Sequence, residues 1–188
     1  NVSAVTNTSH MFSDATSFNQ PIDDWNTSKF YDMGSMFKNA TSFNQDLNSW
    51  DLSSAVKMPN LFYGATSFDK PIGNWNVSKV TNMSRIFQGS TAFNQNLSDW
   101  NVSAVTNMTN MFYNTPALSN ANKGLIHSSF SSNPNWAYPS WSAFVPAPAS
   151  LTNANFQTAV DLWCSDKATA FANYGHIKDW NVTGVTSM

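Results

Sequence analysis

Hydrophobic and polar positions follow one pattern that recurs every 25 residues. Residues 11–25 read MFSDATSFNQPIDDW, and residues 36–50 read MFKNATSFNQDLNSW. Counted from Asn1 without a gap, the repeat gives four full units and a partial fifth: 1–25, 26–50, 51–75, 76–100 and 101–115. A fixed period of this length is typical of a solenoid, in which each unit buries its apolar face against its neighbours.

The first half of each unit predicts a short helix. Apolar residues recur at helical spacing, as at Val80, Met83 and Phe87. A serine column precedes them and should cap the helix: Ser3, Ser28, Ser53, Ser78 and Ser103. The helix should end at a column of residue types that tolerate a left-handed backbone: Asp14, Asn39, Gly64, Gly89 and Asn114.

The second half of each unit predicts a turn and a short strand. The spacing Ile72-x-x-Trp75-x-Val77 matches the leucine-rich-repeat template, whose last two apolar positions alternate along a strand. Phenylalanine and tryptophan columns should line the interior, as at Phe62, Phe68 and Trp75. We therefore expect an α/β fold, a right-handed leucine-rich-repeat-like solenoid with one short helix and one short parallel strand per unit, closed by helical caps.

Beyond Asn114 the period breaks and other elements follow. Residues 118–130 predict a helix that closes the end of the solenoid, so we assign 1–115 to the solenoid and 116–145 to its cap. Residues 133–141 hold two tryptophans and a tyrosine, which either pack on the cap or form an aromatic ligand shelf.

The end of the sequence echoes its beginning. Residues 146–150 read PAPAS and suggest a stiff linker. Residues 151–188 then predict a capping helix containing Phe156 and Trp163, followed by a strand and the first third of another 25-residue unit. Because the last unit stops at its eighth position, we expect the chain to be a segment of a longer tandem array or an assembly whose ends complete one another.

Composition narrows the classes of partner. Only 11% of the residues are charged and the net charge is −2, so no basic patch is available for nucleic acid. The longest apolar runs are far shorter than the roughly 20 residues needed for a transmembrane helix. Sequons such as Asn39-Ala-Thr41 suggest an extracellular glycoprotein, although a repeat rich in Asn and Ser also produces sequons by chance.

Candidate catalytic groups are few. Asp23 and Asp24 form the one adjacent carboxylate pair, but their columns carry other residue types in the following units. The histidines lack zinc-ligand spacing, and Cys164 is predicted to be a small buried apolar residue on its helix. We expect no enzyme activity and no cofactor.

Two polar columns flank the tryptophans and form a candidate binding ladder. If successive strand residues point to opposite faces, both columns point away from the core. The ladder comprises Asp24, Asn26, Ser49, Asp51, Asn74, Asn76, Asp99, Asn101, Asp179 and Asn181. It suits a glycan, Ca²⁺ or another protein; alternatively, it only satisfies backbone groups and keeps the face soluble.

A threonine column offers a different surface. Thr16, Thr41, Thr66 and Thr91 recur at equal spacing. Evenly spaced hydroxyl and methyl groups can match an ordered water lattice, which would make the chain an ice-binding protein. A single column is narrow for this role, and the neighbouring column is irregular.

The repeat W-[ND]-V-S-x-V-T-N-M-x-x-M-F-x-x-A-T-S-F-N-Q, followed closely by residues 76–95 and 101–115, resembles the BspA-like leucine-rich-repeat surface-protein family. The likeness covers 1–115 and resumes at 180–188. It implies a cell-surface or secreted protein used in adhesion or surface architecture. We therefore expect a non-enzymatic extracellular structural or adhesion protein that acts through multivalent contacts with itself, with neighbouring modules, or with surface glycans or proteins.

Overall fold

In the computed structural model, which describes residues 2–147 and 149–186, the 25-residue units lie side by side. One residue of each unit forms a parallel bridge with the equivalent residue of the next: Asn7 with Asp32, Asp32 with Lys57, Lys57 with Asn82, and Asn82 with Asn107. The predicted period is thus confirmed as the spacing between hydrogen-bonded neighbours. The predicted handedness stays a prediction.

A ladder of backbone hydrogen bonds joins each unit to the next. Alternate N–H groups of one unit donate to carbonyl groups of its neighbour. Between the third and fourth units the donors and acceptors are Met58 to Asn82, Asn60 to Ser84, Phe62 to Ile86 and Gly64 to Gln88, at 3.1, 2.9, 2.9 and 2.8 Å. The same bonds recur between the other full units, so the backbone of each unit depends on its neighbour.

The predicted short helices are absent from residues 2–119, where the chain forms consecutive turns instead. In the first unit, Met11 N–H donates to Thr8 O and Ser13 N–H to His10 O, each at 3.1 Å. In a helix each N–H would donate to the carbonyl group four residues earlier, but here alternate N–H groups donate to carbonyl groups of the next unit. Apolar residues three and four apart fit a run of turns as well as a helix, which is why the periodicity misled.

Two positions in each unit have a left-handed backbone. The first, the tenth position of the unit, was not predicted: His10, Ser35, Asn60, Arg85 and Asn110, with φ between 55° and 61°. The second, the fourteenth, was predicted and is confirmed: Asp14, Asn39, Gly64, Gly89 and Asn114, with φ between 55° and 75°. Both lie third in a four-residue turn, the place where a type II turn requires positive φ.

The predicted strand is also misplaced. Trp75 closes one turn by donating to Ile72 O at 3.2 Å, and Val77 opens the next by accepting from Val80 N–H at 2.9 Å. Neither residue is in a strand, and the parallel bridge lies at Lys57 and Asn82 instead. The serine column does not cap helices either, because the Ser78 N–H itself donates to the Asn76 side chain.

Aromatic columns fill the interior, as predicted. Phe62 stacks on Phe68 at 3.9 Å between ring centroids and on Phe87 of the next unit at 5.8 Å. Trp75 and Trp100 stack at 6.2 Å, and the Trp100 indole N–H donates to the buried carbonyl of Ile72 at 2.9 Å. Burial of each ring contributes roughly 1.5 to 3 kcal/mol.

The stack extends four residues past the predicted boundary at 115. Leu118 is buried in the phenylalanine column, and Ser119 N–H donates to Asn94 Oδ1 at 2.9 Å. The predicted capping helix is confirmed as α1 (Asn120–Phe130), and the Ser119 hydroxyl caps it by accepting from Asn122 N–H. The Asn122 amide then donates to Asn94 O, as Gln95 does to Asp69 O one unit earlier.

The aromatic segment at 133–141 packs on the cap. Tyr138 accepts the Phe112 N–H at 2.7 Å, and Trp141 lies 5.3 Å from the Phe112 ring. A 3₁₀ helix spans Pro139–Phe144. Buried Asn133 donates to the carbonyl groups of Val102 and Val105. Of the two alternatives, packing is what these contacts show.

The remaining residues form a two-stranded parallel sheet and two helices. Strand β1 (Ser150–Thr152) pairs with β2 (Asn181–Gly184), which confirms the predicted strand after Trp180. The predicted helix is α2 (Phe156–Ser165); α3 (Lys167–Tyr174) was not predicted, and a 3₁₀ turn spans Ile177–Asp179.

This segment packs against the cap. The ring of Phe171 and the carbonyl of Phe144 lie against Gly124 of α1, so a side chain at that position would collide with both. Ser150 belongs to β1, while Pro148 of the predicted linker lies outside the described residues. Among the described helices, none is long and apolar enough to cross a membrane.

Substitution of Gly89 tests the left-handed turn position. A methyl group there would meet nothing closer than Gly64 at 3.7 Å, so the cost comes from φ of +75° alone. We expect Gly89→Ala to lower the free energy of unfolding by about 1 to 2 kcal/mol. Gly89→Asn should lose at most half as much, because asparagine occupies the position at 39 and 114. Equal losses in denaturant titrations would contradict the assignment.

Candidate functional site

The ten residues of the candidate binding ladder are all exposed: Asp24, Asn26, Ser49, Asp51, Asn74, Asn76, Asp99, Asn101, Asp179 and Asn181. The reason for this exposure differs from the predicted alternation along a strand. Asp24 lies at the corner of the turn closed by Trp25 N–H and Ile22 O, at 3.3 Å. Its side chain points outward because it is on a turn, and not because residues alternate along a strand.

In the column that follows the tryptophans, the side chains stabilise their own turns. The Oδ1 atoms of Asn26, Asp51, Asn76 and Asn101 each accept the backbone N–H two residues later, at 2.9 to 3.2 Å. At Asn76 the Ser78 hydroxyl donates to the same oxygen at 2.7 Å. Hydrogen bonds from the Ser53 N–H and hydroxyl hold the pKa of Asp51 below its ordinary value. These oxygens are already engaged by the protein.

In the column that precedes the tryptophans, the hydrogen-bond partners of the side chains vary from unit to unit. The Ser49 hydroxyl donates to Asp23 O at 2.7 Å, and the Asn74 amide donates to Asn48 O at 3.0 Å. Both bonds tie one unit to the previous one. The Asp99 carboxylate instead accepts from Lys167 of α3 at 2.9 Å, which joins the stack to the last segment. The pair is partly exposed, so it contributes little to stability.

The last two members of the ladder lie apart from the other eight. Asp179 ends the 3₁₀ turn, and Asn181 begins β2, whose partner is β1 rather than a unit of the stack. Asn181 Oδ1 also accepts the N–H two residues later, at 3.1 Å. The predicted ladder is thus eight positions on the stack and two positions outside it, one on the 3₁₀ turn and one on β2.

The candidate binding ladder offers few carboxylates as ligands for Ca²⁺. Within the stack the ladder holds Asp24, Asp51 and Asp99 on separate units. Across residues 2–147 and 149–186, no three His, Cys, Asp or Glu side chains are grouped so that they could hold a metal ion. A metal would therefore have to rely on amide and hydroxyl oxygens, many of which the turns already use.

The structure also places the other candidate groups. Asp23 and Asp24 share an exposed turn, and His127 accepts the indole N–H of Trp136 at 3.1 Å. Cys164 was predicted to be buried but is exposed with a free thiol. The prediction was wrong because α2 fully buries Ala159 alone, and Cys164 lies on the exposed side of its last turn.

A second polar surface was not predicted. It lies on the tenth and thirteenth positions of the middle units and forms an open groove of about 590 Å³, which we call the turn groove. Its walls include Lys38, Asn60, Tyr63, Arg85, Gln88 and Asn110. The repeat pattern does not predict this groove, because its positions vary between units and resemble ordinary surface. Their variation, with bulky and basic residues in the middle units, is the signal that could have found it.

Replacement of Asn76 tests whether the ladder supports turns or stays free for a ligand. Asn76→Ala removes the acceptor for two hydrogen bonds of Ser78, so we expect a loss of about 1 kcal/mol in the free energy of unfolding. Asp24→Ala, the matched exposed control, should change it by less than about 0.5 kcal/mol. If chemical denaturation shows no loss for Asn76→Ala, the amide is not needed for the turn.

Comparison with known proteins assigns the family. A family model described as "Mycoplasma protein of unknown function, DUF285" matches residues 1–59 and 46–135. No curated protein and no solved structure matches the chain. The matched ranges take in the stacked units and α1, which is well over half of the 188 residues. The chain therefore belongs to the DUF285 family.

Proposed function

We propose that this chain is a non-enzymatic extracellular or cell-surface repeat protein with a structural or adhesive role. It acts as part of a longer tandem array or filament, in which many weak contacts add up to stable attachment. The likeness of its repeat to BspA-like leucine-rich-repeat surface proteins supports the location. The family assignment alone carries no function, so the proposal depends on the architecture of the stack.

The observation that carries the proposal is the open face of the first unit. Phe12, Phe18 and Trp25 are only partly buried there. The equivalent residues of the second unit, Phe37, Phe43 and Trp50, are 0, 0 and 4% exposed. The first unit thus presents an aromatic surface that every inner unit covers with a neighbour.

The backbone of the same face offers matching hydrogen-bond acceptors. In the second unit, Asp32 O, Gly34 O and Met36 O accept N–H groups from the first unit at 2.9 Å. In the first unit, no described residue donates to the equivalent carbonyl groups of Asn7, Ser9 and Met11. The chemistry that fits this face is another unit of the same repeat, from the same polypeptide or from another molecule.

The ice-binding alternative gains less support. The hydroxyl groups of Thr41, Thr66 and Thr91 donate to carbonyl groups of the preceding unit at 3.2 to 3.3 Å. These donors hold the stack together and are not free to bind a water lattice. Thermal hysteresis at micromolar concentrations of the protein would support ice binding.

An added unit tests the open face. A copy of residues 76–100 placed directly before residue 1 keeps the register, because Trp100 then precedes an asparagine as Trp25 does. We expect the new unit to raise the free energy of unfolding by roughly 3 kcal/mol, since it completes the burial of two to three large side chains. Hydrogen exchange at the amides of the first unit should slow at the same time.

Charged variants sharpen this test. Met11 is 41% exposed, whereas Met36 at the same position is 0% exposed. Met11→Glu should therefore be tolerated in the original chain and destabilise the extended one. Ser17→Glu is the control, because Ser17 and its equivalents Ser42 and Ser67 are all exposed. If the added unit neither stabilises the chain nor protects the first unit, the stacking proposal fails.

Location and assembly need a direct test in the native source. We expect antibodies against the stack to label intact cells, and electron microscopy of native material to show filaments or a surface layer. Labelling only after lysis would contradict the extracellular location. Dispersed single particles in native material would contradict the array.

A further inference from the structure

The turn groove has two cationic side chains without an ion-pair partner within 4.0 Å among the described residues. Lys38 and Arg85 line it, and no carboxylate does. Among the described residues, no carboxylate oxygen lies within 4.0 Å of either cation, since the ion pair found there joins Lys167 and Asp99. In a chain of net charge −2, the groove is therefore a local excess of positive charge, which favours anions.

The two cations of the turn groove lie on different units of the stack. Lys38 belongs to the second unit and Arg85 to the fourth, so one whole unit separates them. Tyr63 of the third unit lies between them, and Lys38 Nζ sits 5.8 Å above the centre of its ring. The ring attracts the ammonium group and places it at the groove. Both cations therefore face the same groove.

A neighbouring carboxylate, that of Asp14, is directed elsewhere. Asp14 accepts from the Asn39 amide at 2.8 Å and from the Ser13 hydroxyl at 3.0 Å. These two hydrogen bonds, with a smaller contribution from Lys38, keep the pKa of Asp14 below its ordinary value. Asp14 is not part of the groove lining, so it borders the site without filling it.

Amide side chains supply the rest of the lining. Asn60 and Asn110 present donors and acceptors on either side of Arg85. The Gln88 Oε1 atom is enclosed and has no hydrogen-bond partner among the described residues. An enclosed acceptor without a donor costs about 1 to 3 kcal/mol. Because Gln88 lines the groove, a rotation of its amide would bring this acceptor to a ligand hydroxyl.

Arg85 occupies a position that disfavours it. Its φ is +55°, and the adjacent units have Asn60 and Asn110 there. A left-handed backbone costs a residue with a long side chain roughly 1 to 2 kcal/mol, whereas asparagine tolerates it. Since the stack forms with asparagine at this position, folding gives no reason for the arginine.

We propose that the turn groove binds an acidic saccharide, a glycan residue that carries a carboxylate or sulfate group. The anionic group contacts Lys38 and Arg85, and the amides of Asn60, Gln88 and Asn110 bind ring hydroxyls. Two cations in an open amide-lined groove suit a sugar better than a nucleic acid, which needs many phosphate contacts. This inference rests on the adhesion role proposed above and names its ligand class.

Binding to a panel of immobilised glycans tests the proposal. The panel contains sialylated, uronate-bearing, sulfated and neutral saccharides, so its arms separate carboxylate from sulfate. We expect the intact chain to bind at least one acidic class and to bind the matched neutral saccharides at least tenfold more weakly. Titration calorimetry on the best glycan then gives the affinity for the variants.

The variants take their residues from the repeat itself. Arg85→Asn copies Asn60 and Asn110, and Lys38→Gln copies Gln88, so both should fold. Each should weaken binding about tenfold, because each removes a charged hydrogen bond. Lys79→Ser, which copies Ser54 on an exposed position outside the groove, loses the same charge and should bind normally.

Several results would overturn the proposal. They are failure of every acidic saccharide to bind, equal binding of neutral and acidic saccharides, unchanged binding by both groove variants, or an equal loss with Lys79→Ser. Melting curves on each variant separate lost binding from lost folding. The open face of the first unit is tested separately, so failure here leaves the array proposal standing and failure there leaves the groove standing.

Discussion

The sideways hydrogen bond from one unit to the next is the interaction on which the rest of this structure depends. Because alternate N–H groups donate to carbonyl groups 24 residues further along the polypeptide, they cannot close a helix within their own unit. The backbone must then bend at short intervals, which it does through left-handed residues such as Asn60 and Gly64. The aromatic columns follow, since units in register place equivalent rings on one another.

The sequence revealed much of this order but not its hydrogen bonds. The period, the left-handed position at Gly89, helices α1 and α2, and the buried aromatic columns all follow from residue types and spacing. The helix expected before Phe87 was wrong because periodicity records which side chains face inward and not where each N–H finds its acceptor. That acceptor lies in another unit, where local propensity carries no information.

The candidate site shows the same limit. The exposure of Asn76 and Asp99 could be inferred, because polar residues that flank a buried tryptophan are expected to face solvent. Their engagement could not, since it depends on a turn at Ser78 and on Lys167, which is 68 positions away from Asp99. The turn groove was equally hidden. Its cations belong to different units, and only the stacking brings Lys38 and Arg85 to one surface.

The identical junction between units has an evolutionary consequence. Every full unit ends in a tryptophan whose N–H closes the preceding turn. The next unit begins with an asparagine or aspartate whose side chain accepts the N–H of the serine two residues later. Recombination that gains or loses one whole unit in frame would therefore leave every remaining residue with an equivalent neighbour. A gene of this kind can change the reach of its product in discrete steps without passing through a misfolded intermediate length.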